Sequence, residues 1–175
     1  MKHYYNLILL IGLINILTNC QGQTNTEQNI KVDDIDIIYK QILNDSILVT
    51  GWYFLSDIDN GFKRQLDKLD ENYYIIPKPI VVKGNFEKLE IYETNFKGAY
   101  PDYIGLSIKL DVSGTEAWAE ATKKAMYSEL ALIINNKLIY VPQVNAQITN
   151  GRTDLNRGDY TRNEIEKFKM QIENE

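Results

Sequence analysis

Residues 104–141 read IGLSIKLDVSGTEAWAEATKKAMYSELALIINNKLIYV, and three periodicities follow one another along this stretch. From Ile104 to Val112 apolar and polar residues alternate. Ile104, Leu106, Ile108, Leu110 and Val112 share one face, and Gly105, Ser107, Lys109 and Asp111 share the other. A period of two predicts a strand with one buried face, paired antiparallel or in a mixed sheet. Gly114 then turns the chain, and Thr115 opens a helix whose apolar stripe is Trp118, Ala121, Thr122, Ala125 and Met126. Trp118 is read as the core anchor of that helix rather than as a ligand-stacking ring. Leu130–Ile134 and Leu138–Val141 form two short apolar strands joined at Asn135-Asn136. Asparagine tolerates the positive φ that a tight hairpin turn demands.

The pattern continues to Ile172. Pro142 stops the hairpin, and Gly151 and Gly158 permit sharp bends. Thr161 with Glu164 makes a capping box ahead of Ile165, Phe168 and Ile172, which share one face of a second helix. Strand, helix, hairpin and helix in this order predict an α+β fold. The expected form is a two-layer sandwich, with a mostly antiparallel or mixed sheet and both helices packed on one face.

Upstream, Tyr73–Val82 (YYIIPKPIVV) is extended by composition, because the residue before each proline is pushed towards β or polyproline geometry. Pro77 and Pro79 remove two ladder donors, which places this segment at a sheet edge. Tyr73, Tyr74, Pro77 and Pro79 are the candidate partner-binding surface, since tyrosines beside prolines on an edge can form a peptide groove. Ile47–Leu55 is a strand by its β-branched and aromatic content. The spacing of Ile35, Ile38, Tyr39 and Ile42 predicts a short helix with three acids near its start. The stretch Asn85–Glu93 fits helix or strand, and Lys97–Tyr103 reads as a loop. Asp57, Asp59, Asn60 and Gly61 resemble a calcium loop only superficially. Counting from Asp57, the required Gly and Glu positions hold Phe62 and Lys68, so a turn is the better reading.

The first thirty residues carry an address. A positive start at Lys2 and His3 precedes an apolar run from Leu7 to Leu17, well short of the roughly 20 residues needed to span a bilayer. This is a secretory signal. Leu17-Thr18-Asn19-Cys20 resembles the lipobox of bacterial lipoproteins, with Asn19 departing from the usual small residue. Cys20 is therefore the expected lipid-attachment site, and the protein is expected to be exported and held to a membrane of the bacterial envelope. Residues 21–29 are polar and aperiodic, as in a flexible tether. The boundaries expected are a signal over 1–19, a tether over 20–30, a helix-strand extension over 31–72 and an α+β domain over 73–175.

Composition excludes several chemistries. The formal charge is -5, and without residues 1–19 there are 18 basic against 24 acidic residues, a balance of -6. Such a surface opposes binding to nucleic acid. His3 and Cys20 are the only histidine and cysteine, both at or before the cleavage point. A mature chain of this kind has no histidine for a zinc site, a Ser-His-Asp triad or a Cys-His pair. No catalytic residue, metal or cofactor is implied. A carboxylate-pair enzyme is the remaining catalytic option, and no pair has a sequence reason for perturbed acidity.

A family resemblance rests on the order of motifs. Pro79-Ile80-Val81, Leu106-x-Ile108-x-Leu110-x-x-x-Gly114, Trp118 with Thr122, Leu130-Ala131-Leu132-Ile133-Ile134-Asn135-Asn136-Lys137-Leu138-Ile139, Pro142, Ile148, Gly151-Arg152 and Tyr160-Thr161-x-x-Glu164 together resemble the head subdomain of the first periplasmic region of SecD, in the SecDF protein-export family. The resemblance covers roughly residues 75–172. It implies a non-catalytic module that contacts an emerging preprotein or another envelope protein. No stretch resembles the family's transmembrane bundle, so a proton-driven cycle through intramembrane acids is not expected. The alternative is a binding or immunity-type lipoprotein that uses the same fold for an unrelated ligand.

Overall fold

A computed structural model describes residues 47–57, 60–94 and 103–175. The expected helix at 35–42, Cys20 with the signal and tether, Asp59, and residues 97–102 of the expected loop lie outside these. Along the chain run β1 (Gly51–Leu55), β2 (Phe62–Gln65), β3 (Asn72–Val82), a 3-10 turn (Lys83–Asn85), β4 (Phe86–Thr94), β5 (Tyr103–Leu110), α1 (Val112–Lys124), β6 (Leu130–Ile134), β7 (Lys137–Tyr140), β8 (Arg152–Leu155) and α2 (Arg162–Glu173). The stretch that fitted helix or strand by sequence is thus a strand, β4, entered through the 3-10 turn.

Two antiparallel sheets result, with strand orders β2-β3-β1-β6-β7 and β4-β5-β8. The alternating strand and the hairpin, expected in one sheet beneath both helices, therefore belong to different sheets. The reason lies in β6, whose sequence LALII is buried at every position. A strand that is apolar on both faces needs cover on both. The five-stranded sheet supplies one cover itself by curling until its edge strands meet. Leu66 and Leu138 form a parallel bridge, the Asp67 N–H donates to the Leu138 carbonyl at 2.9 Å, and Arg64 Nε donates to the Asn136 carbonyl at 3.2 Å. Inside this near-barrel lie Leu48, Tyr53, Leu66, Ile75, Ala131, Ile133 and Leu138. On the other face Trp52, Val81, Leu130, Leu132 and Ile134 pack with Leu106, Ile108 and Leu110 of the second sheet and with Trp118, Ile165 and Ile172 of the helices. β1 and β2, from the stretch read as an extension, supply two of the five strands.

Strand β5 buries Leu106, Ile108 and Leu110 as the alternation predicts, but Val112 is 79% exposed. The helix begins earlier than Thr115. Asp111 is the cap, its carboxylate accepting the Gly114 N–H at 2.6 Å, so Val112 opens the first turn and Gly114 lies within it. A carboxylate at this position is held below its usual acidity range by the Gly114 N–H above all. Trp118 is buried, its ring 5.0 Å from that of Trp52 at 50°. Ala121, Thr122 and Ala125 are buried beside it, whereas Met126, beyond the helix end, is partly exposed. The Thr122 hydroxyl donates to the Trp118 carbonyl at 2.8 Å and accepts the Ile148 N–H at 3.0 Å, which ties the polar connection to the helix.

The hairpin turns where expected, with φ of 48° at Asn135 and 62° at Asn136. Gly151 also has positive φ, at 65°, and a Cβ there would lie 2.3 Å from the Thr115 hydroxyl. The capping box forms: Thr161 N–H donates to Glu164 Oε2 at 2.8 Å, and Glu164 N–H donates to Thr161 Oγ1 at 3.4 Å. Asn60 N–H donates to the Asp57 carbonyl at 3.3 Å, in keeping with a turn.

Strand β3 differs from expectation in an informative way. Asn72–Ile75 pairs with β2 on one side and Ile75–Val82 pairs with β1 on the other, so the two ladders share only Ile75. Beyond Ile75 only β1 remains, and the register slips. Leu55 faces Ile75 but Tyr53 faces Pro79, two steps on β1 against four on β3, and Trp52 faces Val81. Pro77 and Pro79 cannot donate to a ladder, so the strand bulges around them.

A candidate binding groove

Three alanines recur every four residues, Ala117 and Ala121 on α1 and Ala125 at its C-terminal cap, and so share one face. Small side chains there keep the helix from filling the space above β1 and β3. The result is a cleft of about 400 Å³ lined by Phe54 of β1, by Ile76, Pro79 and Ile80 of β3, and by Ala117 and Ala121. Lys78, Glu120 and Lys124 also line it. A second compartment of about 670 Å³ shares Phe54, Ile76 and Lys124 with the first and runs on past Ala125, Tyr127 and Glu129. At the junction Lys124 Nζ lies 5.0 Å from the centre of the Phe54 ring, a cation-π contact.

The apolar character of the trough has identifiable sources. Ile76 is 37% and Tyr127 74% exposed, so both present apolar surface to solvent. Tyr127 has φ of 65°, and its N–H donates to the Val144 carbonyl at 2.7 Å, which holds the ring outward after the helix ends. The bulges in β3 bring the consecutive residues Lys78, Pro79 and Ile80 to the lining. The first cleft, with Phe54, Ile76, Pro79, Ile80, Ala117 and Ala121 in its lining, suits apolar side chains, whereas Ser56, Asp57, Ser128, Glu129 and Gln143 make the second compartment more polar.

Of the four residues expected to form a partner surface, only Pro79 lines this groove. Pro77 is exposed on the bulged half of β3. Tyr73 and Tyr74 sit on the half paired with β2. Tyr73 packs against the near-barrel interior, and its hydroxyl donates to Glu71 Oε2 at 3.0 Å. Burial first, and then the Glu71 hydrogen bond, push its phenol up to about 12. Sequence reasoning missed Phe54, Ile76 and Lys124, while the four-residue spacing of alanines was a readable signal for the helix side. Among the described residues no three His, Cys, Asp or Glu side chains are grouped so as to hold a metal.

A second polar cluster joins the near-barrel to the start of α2. Tyr160, 6% exposed, donates to Asp67 Oδ2 or to the Ile139 carbonyl, each at 3.1 Å, and accepts from Arg157 Nη1 at 3.0 Å. Burial raises its phenol far above the ordinary value, against the opposing pull of Arg157. Arg157 Nη2 lies 3.0 Å from Asp159 Oδ2, but their alignment is too poor for a hydrogen bond, so the contact is an ion pair. Lys68 reaches Glu164 Oε1 at 2.8 Å and the Asp159 carbonyl at 2.9 Å. The cluster presents no nucleophile beside a base and reads as a clasp between elements.

Residues 62–174 match the family model described as SecDF, P1 head subdomain. Two solved structures share the fold. One is described as "Structure and function of a membrane component SecDF that enhances protein export", with TM-score 0.55 and 14% identity over 87% of this chain and 74% of that one. The other is described as "Crystal structure of SecDF in Super-membrane-facing form", with TM-score 0.52 and 13% identity over 82% of this chain. The present chain spans 21% of that second chain. No curated protein sequence matches.

Proposed function

The chain belongs to the SecDF P1 head family, and from that premise we propose that it is a protein-export-related module of the bacterial envelope that binds extended polypeptide in the groove between α1 and β3. The reading is non-catalytic: the module works by holding a segment rather than by transforming it. The observation that carries it is the trough itself, with Phe54, Ile76, Pro79 and Ile80 on the sheet side and alanines on the helix side. Apolar side chains of an unfolded segment gain about 25 cal/mol per Å² on entering such a surface, without needing a defined sequence.

Anchoring completes the proposal. No described helix is long and apolar enough to cross a membrane. Acylation at Cys20 would keep the module at a membrane surface, where emerging chains are encountered, and a single acyl chain alone gives only marginal binding, so a diacyl modification fits the need. Cys20→Ala should shift the protein from the membrane fraction to the soluble fraction, and retention in membranes would remove the anchor from the proposal.

The binding reading is tested by placing a photo-crosslinking amino acid at Ile76 or Lys78 in intact cells, with Glu166 on the exposed side of α2 as control. Crosslinks to exported polypeptides from the groove positions, and not from the control, are expected. Equal or absent crosslinking at both sites would defeat it.

A further inference from the structure

Lys124 is the last residue of α1 and lines both compartments of the trough. Glu120 stands four residues before it and lines the first cleft. A glutamate one turn N-terminal to a lysine is the favoured order for an ion pair on a helix face. α2 makes such pairs even in the less favoured order, Arg162 with Glu166 and Lys169 with Glu173. Glu120 and Lys124 are both exposed, yet among the described residues neither makes an ion pair. The Lys124 ammonium lies instead over the Phe54 ring, 5.0 Å from its centre. Phe54 is half-buried and belongs to both compartments, so the ammonium covers the ring at the point where they join.

We infer that the Phe54 ring is a subsite for an aromatic side chain of the bound polypeptide, that Lys124 is its removable cover, and that Glu120 receives the ammonium when the ring is taken. The inference rests on the groove as the polypeptide site. An exposed cation-π contact and an exposed ion pair one helix turn apart are both weak and of similar size. Moving Lys124 from Phe54 to Glu120 therefore costs little. The incoming ring gains what the ammonium cannot, since ring-on-ring packing adds to the burial of its apolar area. An aliphatic side chain gains the burial alone, so the subsite favours phenylalanine, tyrosine or tryptophan over leucine. Asp57 and Glu129 also carry carboxylates on the trough, in the second compartment. An ammonium drawn to either would obstruct that compartment, whereas Glu120 draws it back along α1.

Anisotropy of two short, fluorescently labelled peptides with the purified full chain tests it. One is built of glutamine, threonine and leucine around a central phenylalanine, and the other has leucine in that place. Wild-type protein should bind the phenylalanine peptide about three-fold more tightly, and Phe54→Leu should erase the preference. Glu120→Gln should weaken the phenylalanine peptide about two-fold by removing the alternative seat of the ammonium. On a Lys124→Ala background Glu120→Gln should change nothing, so the double variant binds as wild type does. Thermal unfolding of each variant confirms that it folds. Ala117→Phe, which fills the cleft, should block both peptides. With that block in place, no preference in the wild type, a preference that survives Phe54→Leu, or the same Glu120→Gln loss with and without Lys124 would each overturn the inference and leave the groove standing. Binding of neither peptide to the wild type, or of both to Ala117→Phe as to the wild type, would remove the groove and the inference together.

Discussion

The ring of Trp118 on α1 packs against that of Trp52 on β1, centroids 5.0 Å apart, and this pair joins the helix to the middle of the five-stranded sheet. Both side chains are buried. Trp118→Ala removes the larger part of the α1 anchor and leaves a void that the sheet cannot collapse into, because Trp52 is held by pairing on both sides. A loss of about 3–5 kcal/mol is expected in urea unfolding. A loss below about 1 kcal/mol would show that α1 is held by its other contacts.

The groove makes a separable prediction. Ala117 is half-buried on the helix face that lines it. Ala117→Phe should fill the cleft and weaken binding of fluorescently labelled, reduced and carboxymethylated lactalbumin, followed by anisotropy, by at least about ten-fold, or about 1.4 kcal/mol. Thermal unfolding should move little. Unchanged binding would place the polypeptide elsewhere.

Acid sensitivity follows from Glu164. The Lys68 hydrogen bond first, and then the Thr161 N–H and hydroxyl, hold its carboxyl at about 2. An unfolded glutamate titrates near about 4.3, so the folded state binds fewer protons between these values. The stabilisation is therefore fully present above the unfolded pKa and is lost as pH falls towards about 2. Wild-type protein should lose melting temperature across that window, and Glu164→Gln should show a shallower decline there. Parallel curves would remove Glu164 from the acid response.

Asn136 carries two jobs that can be pulled apart. Its φ of 62° sets the hairpin turn, and its Oδ1 accepts from Leu48 N–H at 2.9 Å and from Arg64 Nη2 at 2.7 Å. Asn136→Gly keeps the turn and loses the acceptor, at about 1–3 kcal/mol. Asn136→Ala loses both and should cost about 1–2 kcal/mol more. Equal unfolding free energies for the two variants would mean that the turn conformation carries no strain.

Local signals were legible wherever one short segment decides the outcome. The Asn135-Asn136 turn, the Thr161–Glu164 cap and the bends at Gly151 and Gly158 could all be read from their residues, because each depends on chemistry within four positions. The partition into two sheets could not. LALII at β6 announces burial on both faces but does not say which strands provide the cover, and the curl that supplies it is closed by Leu66 meeting Leu138, far apart in the chain. The start of α1 was misplaced for a related reason: Val112 continues the apolar alternation of β5, and only the Asp111 carboxylate bound to Gly114 shows that the strand has already ended. At the site, prolines marked β3 as irregular, yet which residues the bulges expose depends on the register with β1.

The central place of β1 bears on how the protein matures. Gly51 pairs with Ile133, so a strand made early must wait for one made more than eighty residues later before its sheet can be completed. Non-local pairing of this kind folds slowly. A chain that reaches its compartment N-terminus first would keep the β1 edge and the Trp52 ring uncovered until the hairpin arrived, and interrupted synthesis or truncation before Leu130 would leave a sticky fragment rather than a smaller working module.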